Sequence, residues 1–252
     1  MALAALATAV VLPSRAAAAD ADKPQWYELR AYSTQSTEQQ KRINDYWHDA
    51  AVSAYNRIGI RPVGVFTEAV DSDTNKVYVI IPCDSLEIFA AIPAKLAADA
   101  EYQKAAAEYL NSPKSNPAYE RIESSLLVAF DGMKHISIPP PDKKPNVFEL
   151  RTYMSPGENT GLNKIRMFES GEITLMRKVG LAPVFYGRAI VGPHIPCLTY
   201  MTCGENPEGH AKHWKGFSES PVWKGLQNDP QYKDNMIGII KVILKRTSAS
   251  QI

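Results

Sequence analysis

Three cysteines in 252 residues are too few for a disulfide scaffold. Cys197 and Cys203 stand six positions apart. On one strand they would sit roughly 20 Å apart and could not bridge. Only Cys83 with one of them is geometrically open, and the odd count leaves at least one thiol free. No apolar run approaches the roughly 20 residues that span a bilayer. Neither charge dominates: 28 basic and 27 acidic side chains leave a formal net charge of +1. A nucleic-acid footprint is therefore not expected, and no Lys/Arg cluster supplies one. The motifs G-x-S-x-G, G-x-x-x-x-G-K-[ST] and G-x-G-x-x-G are all missing, which disfavours an esterase elbow, a P-loop and a Rossmann cofactor site. His194, Cys197, Cys203, His210 and His213 crowd together in sequence. None of their spacings is C-x-x-C or H-E-x-x-H. These histidines are expected in loops and on the surface, and neither a metal nor a resident cofactor is expected.

The start of the chain is low in charge and rich in alanine. Met1 to Leu12 is almost wholly apolar, Pro13-Ser14 breaks it, and Ala17-Ala18-Ala19 precedes Asp20. That is an apolar h-region with a small-residue cleavage site. Residues 1–24 are read as a signal peptide and disordered N-terminus, cleaved near Asp20, for a periplasmic or extracellular protein. The basic n-region of such a leader is missing, so the true translation start is expected upstream.

The chain says one segment twice. Trp26-Tyr27-Glu28-Leu29-Arg30-Ala31-Tyr32 returns as Val147-Phe148-Glu149-Leu150-Arg151-Thr152-Tyr153, 121 positions later. The same offset carries Gly59 to Gly180, Pro62 to Pro183 and Tyr102 to Trp223. An offset of 113 carries Pro117 to Pro230 and Tyr119 to Tyr232. Matches in one register, with one slip near Asn111-Ser112-Pro113, indicate duplicated domains. Each copy reads β-α-β-β-α-α-β. In the first, the spacing predicts a strand over 26–32 and a helix from Ser36 to Ile58 ended by Gly59. Strands over 63–69 and 76–81 follow around an Asp71-Ser72-Asp73 turn, then helices over 86–96 and 101–110 and a strand over 125–130. In the second, strands are expected over 147–153, 184–190, 197–202 and 236–244, and helices over 160–179, 207–217 and 220–226. The fold class is α+β: two tandem ferredoxin-like βαββαβ domains, residues 25–138 and 147–252, joined by a Pro-rich linker at 139–146. Each unit leaves one sheet face bare, and two in one chain can close on each other as an intramolecular dimeric α/β barrel with the helices outside.

The duplicated E-L-R-x-Y strand, the helix ended by Gly, the Pro-started strand and the late Pro-x-Tyr resemble the NIPSNAP family of the dimeric α/β-barrel superfamily. The resemblance spans roughly residues 25–246. The first copy departs from the second in having Tyr102 for Trp223 and an extra polar loop near Asn111–Ser115. It implies a binding module for a small, partly apolar ligand or a protein partner, with self-association open. Relatives in the superfamily imply a rival: a cofactor-independent monooxygenase or a haem-dependent oxidoreductase.

Alternation divides Glu28, Arg30 and Tyr32 from Tyr27, Leu29 and Ala31. The helices need the apolar side. Glu28, Arg30, Tyr32, Glu149, Arg151 and Tyr153 are therefore expected to line the barrel interior. Each Glu should pair with the Arg two residues on, or crosswise between the halves, as a structural ion pair or as the polar cluster of a cavity. His48, in the first helix, is a further candidate as a general base in one half only, against the plainer reading of a helix-surface histidine.

Overall fold

The computed structural model describes residues 23–69, 75–139 and 145–252. The expected leader up to residue 22, the Asp71-Ser72-Asp73 turn and linker residues 140–144 lie outside the described residues.

Strand β1 (Trp26–Ser33) leads into a long helix, α1, through a polar turn. Ser36 accepts a hydrogen bond from the Gln39 amide while Gln39 Oε1 accepts one from the Gln35 amide, so two orphan donors at the helix start are satisfied. Helix α1 runs through Thr37–Tyr46, a π-helical turn Trp47–Ala51 and Val52–Arg57. The π turn adds a residue to the helical circuit, so Trp47, Ala50 and Ala51 are all turned inward and buried. Gly59, at φ 88°, ends the helix in the left-handed conformation that glycine tolerates. Strands β2 (Gly64–Glu68) and β3 (Val77–Cys83), helices α2 (Leu86–Ala98), α3 (Ala100–Ala105) and α4 (Ala107–Leu110), and strand β4 (Arg121–Ala129) complete the first half.

The second half follows the same sequence of elements. Strand β5 (Val147–Met154) precedes helix α5, built from Glu158–Met167, a π-helical turn Phe168–Glu172 and Ile173–Val179. Strands β6 (Ala182–Val191) and β7 (Cys197–Gly204), helices α6 (Pro207–Glu219) and α7 (Pro221–Asn228), a 3-10 turn Pro230–Tyr232 and strand β8 (Gly238–Arg246) follow. The sequence reading placed the start of β4 four residues late, because Glu123-Ser124-Ser125 is polar and lies toward the open end of that strand.

All strand pairs are antiparallel, and the sheet closes in the order β1-β3-β2-β8-β5-β7-β6-β4. Each half therefore contributes the same local order, β4-β1-β3-β2 and then β8-β5-β7-β6. The helices cover the outside of the barrel. Two apolar layers lie between helices and sheet, one around Trp47, Tyr55 and Val79 and the other around Phe168, Tyr200 and Phe217. A third fills the barrel: Tyr27, Phe66, Ile80, Phe148, Leu150, Phe185, Met201 and Leu244. Phe66 and Phe148 meet at 4.8 Å between ring centroids. One barrel end is closed by the C-terminal stretch. Gln251 exchanges hydrogen bonds with Val63, and a Cβ on Gly64 would stand 2.7 Å from Ile252 Cδ1.

The three thiols are free and buried, so no Cys83 bridge to Cys197 or Cys203 forms. Burial pushes Cys83 and Cys203 up to about 12 and Cys197 up to about 11. Thiols held that high are poor nucleophiles at neutral pH.

Candidate functional site

The face assignment of the duplicated strand is the reverse of the expectation. Tyr27, Leu29 and Ala31 point into the barrel, and so does Leu150. Tyr32 and Tyr153 lie in the two helix-facing layers, and alternation places Glu28, Arg30, Glu149 and Arg151 on that same side. The reason is packing. A closed eight-stranded barrel is just wide enough for side chains to fill, and here the filling is apolar. The seam between sheet and helices lets each arginine keep an edge in water, at 22% exposure for Arg30 and 17% for Arg151.

The expected pairing within each strand is present. Arg30 donates from Nε to Glu28 Oε1 at 2.6 Å and from Nη2 to Oε2 at 2.9 Å, and Ser124 Oγ donates to Oε1 at 2.8 Å. Arg151 donates from Nε to Glu149 Oε1 at 2.7 Å and from Nη1 to the Tyr153 hydroxyl at 3.2 Å. The Tyr153 hydroxyl in turn lies 2.8 Å from that of Tyr200.

The second half carries more. His210 Nε2 lies 2.7 Å from Glu149 Oε2, and Trp214 Nε1 donates to the same oxygen at 2.6 Å. Arg151 stacks over the Trp214 ring at 3.6 Å, a cation–π contact. His210 and Trp214 are one turn apart on α6, whose start is fixed by Asn206 accepting from the Gly209 amide. His210 is only 4% exposed, so the expectation of a loop or surface histidine fails for it. His194 is exposed and His213 half-buried. Burial works against the Glu149 carboxylate, but the hydrogen bond from His210 and the Arg151 guanidinium hold it below the usual range. The His210 Nδ1 and the Thr202 hydroxyl, directly across from Glu149, are buried with no hydrogen-bond partner among the described residues.

Gly204 makes room for this arrangement. A Cβ there would stand 2.9 Å from His210 Nδ1 and 3.0 Å from its Cβ. Gly204→Ala is expected to push the imidazole off Glu149 and cost about 1–3 kcal/mol, read from the denaturant midpoint. An alanine variant of unchanged stability would show that α6 can shift away at no cost.

A second buried charge pair lies in the same layer. Lys164 Nζ meets Glu172 Oε1 at 2.6 Å, with the side chains 3% and 1% exposed. Phe168, Trp223 and Tyr153 surround the ammonium at 4.9, 5.5 and 5.6 Å from their centroids. The positions 121 residues earlier hold Ile43 and Ala51, and those of His210 and Trp214 hold Phe89 and Pro93. The polar cluster therefore belongs to one half alone. The strand motif pointed to Glu149 and Arg151. His210, Trp214, Lys164 and Glu172 were missed; the usable signal was helical spacing of His210 and Trp214 beside small Gly204.

His48 lies on the exposed side of α1 with Nδ1 2.5 Å from Asp49 Oδ1, away from both clusters. Among the described residues no group of three His, Cys, Asp or Glu is placed to hold a metal ion.

The barrel interior is packed at its Tyr27 and Phe148 end and opens at its Ala31 and Thr152 end. A cavity of about 130 Å³ lies there, walled by Leu29, Ala31, Leu150, Val242 and Ile240 and bordered by Lys76, Glu123 and His194. The Thr152 and Thr199 hydroxyls, 2.9 Å apart, line it together with Tyr78 and Ser125.

A closed antiparallel eight-stranded barrel wrapped in helices defines an α/β-barrel protein. Residues 27–131 match the NIPSNAP family model. No curated protein matches the chain. Solved structures share the fold. One from Lactobacillus acidophilus, provisionally named a monooxygenase, is 12% identical with a TM-score of 0.60, over 89% of this chain and 94% of that one. Another of the same provisional name, from Fusobacterium nucleatum, is 11% identical with a TM-score of 0.59, over 89% and 93%. An anthrone oxidase-like protein is 10% identical with a TM-score of 0.55, over 90% and 93%. At these identities the likeness is one of fold. Among the described residues no helix is long and apolar enough to cross a membrane.

Proposed function

We propose that this protein binds a small, partly apolar molecule at the open mouth of its barrel. The observation that carries this reading is the cavity where the packed interior stops, with an apolar wall of Leu29, Ala31, Leu150, Ile240 and Val242 facing hydroxyls of Tyr78, Ser125, Thr152 and Thr199. Such a site fixes a ligand by apolar contact and orients it by a few polar groups. A cavity of about 130 Å³ is close to the size of one that takes a single benzene ring. Single-ring phenols should therefore raise the melting temperature, and naphthols should not. Val242→Trp, which fills the cavity from β8, should abolish the phenol effect. Phenols with no effect on the wild-type melt would reject the reading.

A second reading, an oxygenase of the kind named among the fold neighbours, is favoured by the buried His210, Glu149, Arg151 and Trp214 cluster of the second half. Oxygen uptake with a quinol, lost on His210→Phe, would support it. Its haem version would show a Soret band after purification, although His210 itself offers no free face: Nε2 is held by Glu149 and Nδ1 lies against Gly204.

We also infer that the halves are tandem ferredoxin-like units, 25–138 and 147–252. The equal strand orders and the π turns beginning at Trp47 and Phe168 support this. Export rests on the apolar start and the Ala17–Ala19 site. The native protein should then begin near Asp20, and an intact Met1 by mass spectrometry would reject it.

A further inference from the structure

A groove of about 370 Å³ lies between the first turns of α5 and the β6–β7 hairpin. Leu162, Ile165, Ile190, Ile195 and Pro196 line it, with Arg188 on the β6 wall. It adjoins the barrel mouth, sharing Ala189 and Cys197 with its walls, while Leu162, Ile165, Arg188 and Ile190 belong to the groove alone. Tyr186 faces the helices and Ala189 the barrel, so alternation puts Arg188 and Ile190 on the helix side. Leu162, Ile190 and Ile195 are 38, 37 and 53% exposed. Apolar side chains grouped in this way at the surface mark a binding site more often than a scaffold need.

The first half shows that the scaffold does not need them. The positions 121 residues before Leu162, Ile165, Ile190 and Arg188 hold Lys41, Asn44, Ala69 and Thr67. The same helix packs on the same sheet there with polar or small side chains. The apolar floor and its cation thus occur in one half only. Arg188 has no carboxylate partner among the described residues, and Glu158, the acidic residue on the groove wall, is exposed and not paired with it.

We propose that this groove binds a monomeric fatty-acid anion, its chain along Leu162, Ile165 and Ile190 and its carboxylate on the Arg188 guanidinium. A guanidinium offers a carboxylate two parallel N–H donors, which fixes the head while burial of the chain supplies affinity.

Decanoate and decanol are titrated into the full chain by calorimetry below their micelle range. Decanoate should bind more tightly than decanol. Arg188→Thr should weaken decanoate about tenfold and leave decanol unchanged, while Leu162→Lys should weaken both. Both positions are at the surface, and unchanged melting temperatures check that the variants fold. No decanoate binding, or decanoate binding indifferent to Arg188→Thr, would overturn the proposal. So would binding to anionic vesicles without binding of the monomer, which would make this a membrane-facing surface. Phenol that competes with decanoate would overturn the separation of the two sites. Decanoate binding without any phenol effect would leave the groove standing and the barrel mouth rejected.

Discussion

Lys164→Ile should destabilise the protein by about 3–5 kcal/mol, and adding Glu172→Ala should restore stability to within about 1 kcal/mol of wild type. The single change leaves Glu172, 1% exposed, with no cation. Its carboxyl is already raised above the usual range by burial, with Lys164 opposing. The double change installs the pair found at the matching positions of α1, Ile43 and Ala51, which pack in the same layer there without any charge. A chain of this size should lose about 10 °C in Tm for the single variant. The pH dependence has a definite sign. A carboxyl whose folded pKa is raised favours folding when protonated, below its unfolded value near 4.3. That preference is lost as pH rises through the raised folded value. The deficit of Lys164→Ile should therefore shrink on acidification through that range, because a protonated Glu172 needs no cation. A single variant as stable as wild type at neutral pH would mean that Glu172 reaches water.

Much of the framework was legible from local signals. The Gly59 and Gly180 stops, the Ser36 cap and the period of Ile43, Tyr46 and Trp47 placed the helices within a few residues. The π turns were not legible, since a helix one residue longer in circuit keeps nearly the same apolar spacing. Which face of β1 looks inward was not legible either. Strands β3 and β7 are buried along their whole length, so both sheet faces are dry. Alternation separates two sets of side chains but does not say which set meets the helices. The assumption that the helices take the apolar set then chose the wrong one.

The site was half legible for a related reason. Glu149 and Arg151 are two residues apart, and a short-range pair can be read from one strand. Their partners His210 and Trp214 come from α6, about sixty positions later, and only the fold brings them together. Gly204 reads as an ordinary strand end until His210 is seated on it. Lys164 and Glu172 stand eight apart on α5. Without the π turn, whose extra residue brings both to the buried side, they resemble two solvated charges.

Glu149→Gln is the change that tests whether this cluster is a scaffold or a working site. It should cost about 3–5 kcal/mol, more than Glu28→Gln. Glu149 accepts from Arg151, His210 and Trp214, and an amide nitrogen would confront one of those donors. Glu28 accepts from Arg30 and Ser124, and a serine hydroxyl can turn to accept instead. Because the Glu149 pKa lies below its unfolded value, its contribution is present above about 4.3 and lost as pH falls through the depressed folded value. The gap between wild type and Glu149→Gln should hold steady near neutral pH and close in acid. Tryptophan emission gives a local readout, since Trp214 loses its carboxylate and its stacking on Arg151 loosens. For a scaffold, stability falls and quinol-dependent oxygen uptake, where present, falls only in step with the folded fraction. For a working site, uptake is lost in variant protein that is still fully folded. A Glu149→Gln variant with wild-type stability, emission and pH profile would remove the carboxylate from both roles.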